Sequence, residues 1–195
     1  MGLRRWVLVP ALVLAVAGCG VVSVGDDDRA SDAPSASARS VDGGTETWDL
    51  RVVPSAEAFG RADGKSAAVY QTREPRDVSL LLPQDRTLTV PDATLVDFKA
   101  FGPDRPERWS FGVTTAGMGR EATVALLGDL LDELGLPAEV AAEFDAASST
   151  ARTDDVSSPF QKTRLGELGI GVRATWAPRS ERGTVDVAGD WGAGR

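Results

Sequence analysis

Residues 109–137, WSFGVTTAGMGREATVALLGDLLDELGLP, carry two different periodicities side by side. Trp109, Phe111 and Val113 alternate with Ser110 and Gly112, which predicts a half-buried strand. From Arg120 the spacing changes: Val124, Leu127, Leu131 and Leu134 fall on one helical face, with Leu126 and Leu130 beside them and Asp129, Asp132 and Glu133 elsewhere. Gly135 is placed to take the left-handed conformation that closes this helix, and Leu136 to fold back onto Leu131. Pro137 prevents continuation and suits the start of a second helix, through about Ala147, that buries Val140 and Phe144.

Strand patterns lie on both sides of this helical pair. Trp48, Leu50 and Val52 alternate with Asp49 and Arg51, and Val78–Leu82, Thr87–Val90 and Thr94–Phe101 follow, separated by Pro, Asp and Gly. After the helices, Leu168, Ile170, Val172, Ala174 and Trp176 alternate with small or polar residues, and Val185, Val187 and Trp191 continue beyond the Pro178–Gly183 loop. The span Ala146–Gln161 reads as a mobile connection. The expected fold is α+β, an antiparallel sheet of about 5–8 short strands with a helical pair packed on one face.

The N-terminus carries a different kind of signal. Arg4 and Arg5 precede an apolar run from Trp6 to Val16, and Val16-Ala17-Gly18 stands directly before Cys19, the chain's single cysteine. This stretch resembles the lipobox signal peptide of bacterial lipoproteins; the resemblance covers residues 1–19 and says nothing of the domain. It implies cleavage between Gly18 and Cys19, diacylglyceryl (palmitate-type) modification of the Cys19 thiol, and a location on the extracytoplasmic face of the cell membrane. Two alternatives are an uncleaved helix from Trp6 to Gly25, near the roughly 20 apolar residues a span needs, and a secreted product cut near Ala17. Pro10, Gly18 and Gly20 disfavour the helix, and a purposeless free thiol disfavours the secreted product.

Between Gly25 and Thr47 the chain has almost no large apolar side chain, so it reads as a linker too polar to offset its ordering entropy. The expected organisation is a signal peptide over 1–18, a lipidated N-terminus and linker over 19–47, and one extracytoplasmic domain over 48–195.

Composition narrows the chemistry. Without Arg4 and Arg5 the chain has 19 basic and 29 acidic residues, a net charge of −10, which disfavours nucleic acid as a partner. Histidine is absent, so a Ser-His-Asp triad at Ser110 is impossible and histidine-based zinc chemistry is excluded. Gly60–Ser66 has a P-loop's letters but only three residues between its glycines, and Gly169–Ala174 has dinucleotide-fingerprint letters inside a strand pattern; both read as structural. Asp26, Asp27 and Asp28 read as solvated charge. No catalytic, cofactor-binding or metal-ligating residue is assigned.

Carboxylate pairs acting on glycans remain open, with Asp97, Glu107, Glu121, Glu143, Asp145 and Glu167 as candidates that nothing in the sequence sorts. Trp109, Trp176, Phe98, Phe101 and Phe111 are assigned to the core, and Trp191 to an edge or open end of the sheet. The expected function is a non-catalytic binding or envelope-accessory domain, held in membrane lipid through Cys19, with an envelope protein or small ligand as partner. The alternatives are a carboxylate-dependent envelope hydrolase and an inhibitor or immunity-type protein.

Overall fold

The computed structural model describes residues 38–51, 67–100 and 109–192. The strands are β1 (Arg39–Asp42), β2 (Thr45–Asp49), β3 (Ala67–Leu82), β4 (Arg86–Ala100), β5 (Trp109–Thr115), β6 (Val156–Ser157), β7 (Gln161–Leu165), β8 (Leu168–Ala177) and β9 (Arg182–Trp191). Helices α1 (Arg120–Leu134) and α2 (Glu139–Thr150) lie between β5 and β6. All nine described strands join one sheet in the order β1-β2-β3-β4-β5-β9-β8-β6, with β7 also along β8. The β2–β3 pair is parallel and the others are antiparallel. The chain is an α+β domain, as its alternating periodicities require.

Two strands are far longer than the short segments expected, because proline bends them without ending them. On β3, residues 72–75 lie opposite Thr94 alone, between the Gln71↔Leu95 and Arg76↔Ala93 pairs. Pro75 sits in this bulge, where a residue without an N–H does no harm to the ladder. A second register shift follows at once, where Pro91 and Asp92 of β4 face Asp77 alone and Asp92 takes a left-handed φ of 48°. The segments 87–90 and 94–101, which read as separate strands, are therefore, as far as Ala100, two arms of β4.

The bend folds the sheet onto itself. Trp48 pairs with Leu80, which pairs with Leu88, ten residues from Phe98 along β4. On a straight strand that separation would be about 34 Å, yet the Trp48 and Phe98 ring centroids are 4.4 Å apart. The β1–β2 end of the sheet therefore covers the inner face of its middle. Phe111 continues the aromatic row to Trp191, 5.6 Å between centroids, so Trp191 belongs to the core and not to an open end.

The helices cover the other half of the same face. α1 packs on β8 and β9, and α2 on α1 and β6. Close approach occurs at Gly183, where an added Cβ would stand 2.2 Å from Thr123 Oγ1. Leu127, Leu130, Leu131 and Leu134 point inward, joined by Val140 and Phe144 of α2. Gly135 takes φ 66° and ψ 36°, and the Leu136 N–H donates to Leu131 O at 2.8 Å, the closure read from the sequence.

Two boundaries differ from expectation. Residues 39–47, assigned to the linker, form β1, a two-glycine turn and the start of β2, and the folded part reaches back to Ala38, whose carbonyl accepts from the Asp49 N–H at 2.7 Å. Low apolar content misled here because β1 and β2 are held by polar side chains. The supposed mobile span 146–161 contains the last turn of α2 and the strand β6. Ser158 is buried, and its Oγ accepts from the Ala174 N–H at 3.0 Å, continuing the ladder beside Pro159.

Leu131→Ala should cost about 2–5 kcal/mol in urea unfolding, and Asp129→Ala on the exposed face little. Gly183→Ala should cost about 1–3 kcal/mol, because α1 must move off the sheet to admit the methyl group. Equal effects of the two α1 substitutions would contradict the helix orientation.

Candidate functional site

The described residues contain one buried ionisable side chain, Glu46. Its position follows from alternation on β2: Glu46, Trp48 and Leu50 point inward, and Thr45, Thr47 and Asp49 do not. The turn Gly43-Gly44, with φ of 57° and 90°, reverses the chain so that Arg39 on β1 lies directly opposite Trp48. Arg39 then reaches Glu46 along the shared face, and its guanidinium carbon lies 6.0 Å from the Trp48 ring centroid.

Four hydrogen bonds converge on the Glu46 carboxylate. Arg39 Nε donates to Oε1 at 2.9 Å and Arg39 Nη2 to Oε2 at 3.2 Å. Trp48 Nε1 donates to Oε1 at 2.7 Å, and Arg76 Nη1, from the bend in β3, to Oε2 at 3.3 Å. The Glu46 side chain is 1% exposed, against 14% for Arg39 and 24% for Arg76. A buried carboxylate is costly unless cations and donors replace its water, and two guanidiniums and an indole do so here. Each oxygen already has two donors, about the capacity of a carboxylate, so Glu46 has no lone pair left to take a proton from a substrate. It acts as a fixed anion that organises two arginines.

The candidate acids read from the sequence are not brought together. Asp97 lies on the outer face of β4, half-buried, 2.8 Å from Lys99 Nζ. Glu121 and Glu143 are exposed on the helices that cover the inner face. Asp145 pairs with Arg120, and Glu167 is exposed in the β7–β8 turn. Glu107, Phe101, the Gly60–Ser66 string, Asp26–Asp28, Gly18 and Cys19 lie outside the described residues. Gly169 and Gly171 sit within β8, as the strand pattern required; Lys162 lies over the first and Gln161 and Phe160 over the second. Glu46 was not among the candidates, though the alternation Glu46-Trp48-Leu50 was the signal that could have found it.

A second electrostatic feature lies at the C-terminal end of α1, where Asp129, Asp132 and Glu133 crowd a helix end that disfavours negative charge. Burial, and then the charges of Asp129 and Asp132, raise the Glu133 carboxyl above the ordinary glutamate range. Arg86 Nη1 donates to the Glu133 backbone carbonyl at 3.2 Å, a cation at the helix end that favours one.

No known family matches this chain, and no curated protein or solved structure matches it.

Glu46→Gln should destabilise the domain by about 3–5 kcal/mol, since it leaves two partly buried guanidiniums without an anion. Trp48→Phe keeps the ring stacking and loses one donor, and should cost about 1–3 kcal/mol. Denaturant unfolding measures both. For Glu133 the sign is opposite to the usual acid: its folded-state affinity for the proton is raised, so stability is gained below the unfolded-state range and lost as pH rises through the folded one. Glu133→Gln should therefore stabilise at neutral pH, with the gain vanishing in acid; a gain that persists at low pH would point to a cause other than charge.

Proposed function

We propose that this chain is a surface lipoprotein, held in the outer leaflet of the cell membrane through Cys19, whose domain binds a partner or small ligand and performs no chemistry. The observation that carries the reading is Val16-Ala17-Gly18-Cys19 behind Arg4-Arg5 and an apolar run. Two acyl chains at about 0.8 kcal/mol per buried methylene suffice to retain a soluble domain. No described helix is long and apolar enough to cross a membrane.

The geometry adds a distance and a chemical restriction. Nineteen residues separate Cys19 from Arg39 of β1, a reach of at most about 70 Å. The domain would thus meet partners at or near the membrane surface, concentrated there by its anchor. The saturated hydrogen bonding of Glu46 favours binding over carboxylate catalysis, because the one buried acid among the described residues is committed to its arginines. The net charge of −10 on the chain after Gly18 favours a neutral or basic partner.

Cys19→Ala should abolish incorporation of labelled fatty acid and either block maturation or shift the protein to the soluble fraction on membrane flotation. A substituted protein that stays as firmly membrane-bound as the parent would replace the lipid anchor with an uncleaved helix.

A further inference from the structure

The hairpin β1–β2 is joined to the rest of the domain differently from every other strand pair. Among the described strands, β2 meets β3 in the one parallel ladder, Thr45–Asp49 against Asp77–Leu81, and β1 is paired with β2 alone. The principal helix contacts are with β8, β9 and β6. Beyond the ladder, the Leu50 N–H donates to Leu81 O at 2.8 Å, and Trp48 packs on Phe98.

The Glu46 cluster divides unevenly across this junction. Three of its four donors, the two from Arg39 and the one from Trp48, belong to the hairpin itself. Only Arg76 Nη1 reaches Glu46 from β3, through the longest bond of the set at 3.3 Å. If the hairpin moved off β3, Glu46 would keep its close cation and its indole donor, so the buried charge would never be left alone. Opening at this seam therefore avoids the cost that normally makes breaking a buried ion pair prohibitive. At a seam through Arg39 and Glu46 that cost would be met in full.

We infer that β1–β2 is a clasp that opens as a unit while β5, β8 and β9 stay folded, with Arg76 as its catch on β3. The clasp is the first described part of the chain, so a force or partner acting on the segment before Arg39 acts on it before any other described strand. Opening removes Trp48 from the ring of Phe98 and frees the edge of β3 along Asp77–Leu81. Events on the N-terminal segment are thereby coupled to exposure of the domain's interior.

Native-state amide exchange of the full chain in detergent, followed across low urea concentrations, tests this. The Leu50 amide, bonded across the seam, is expected to open at lower free energy and with a weaker urea dependence than the Val187 amide at the centre of β9. Arg76→Gln should accelerate Leu50 exchange about tenfold or more and leave Val187 unchanged, and Arg76→Lys should fall between. Coincident opening of the two amides in the unaltered chain would overturn the clasp, whether or not either variant folds. Equal acceleration of both amides in Arg76→Gln, or of neither, would remove Arg76 as the catch.

Discussion

The bend in the β3–β4 ribbon is the constraint on which the domain depends. A flat sheet of nine strands with one apolar face would need a second layer along its whole length, and two helices of 15 and 12 residues cannot supply it. Folding the ribbon at Pro75 and Pro91 lets the sheet supply the missing layer from its own edge. Trp48 comes to lie against Phe98 of the aromatic row while α1 covers the β8–β9 end, and the buried residues, Leu50 among them, form one continuous core. Arg86, just beyond the β3–β4 turn, reaches the Glu133 carbonyl and ties the folded ribbon to the end of α1.

This arrangement places a polar cluster where a purely apolar one would serve for stability. Replacing a buried ion pair by well-packed apolar residues is often neutral or favourable, so the Arg39–Glu46–Arg76 group is poorly explained as a stabilising device alone. Its value lies in geometry. One carboxylate accepts from β1, β2 and β3 together and sets their relative register, in a region where parallel pairing and a short β1 specify it weakly. The same division of donors makes the hairpin self-sufficient in charge, which is why a seam between β2 and β3 is the natural place for the domain to part.

The outer face of the sheet is organised by different means. Asp97 with Lys99, Asp190 with Lys162, and Asp186 with Arg173 lie across it as ion pairs, all partly exposed. Such pairs contribute little to stability, and here they cover small residues: Gly112 leaves room for Asp97, and Gly169 for Lys162. The strand glycines that resemble a nucleotide fingerprint thus accommodate neighbouring side chains. Of the acids read from the sequence, Asp97 lies on this face, and Glu121, Glu143 and Asp145 lie on the helices that cover the other.

Much of the fold was legible in the chain because it rests on local physics. The period of Val124, Leu127, Leu131 and Leu134 and the closure at Gly135 determine α1 wherever it packs, and the alternation of residues 168–176 and 185–191 determines two strands with a buried face. The lipobox resemblance, too, is a property of consecutive residues. What the tertiary structure alone decided depends on contacts between distant positions. Pro91 reads locally as a terminator, yet β4 passes through it because Pro91 and Asp92 together face Asp77 alone, in a ladder irregularity where the missing N–H costs no regular pair. Glu46 reads locally as the end of a polar linker, yet it is buried because Arg39 is seven residues before it and Arg76 thirty residues after it. A charged side chain is burial-competent only when its partners arrive, and their arrival is set by the folded path of the chain.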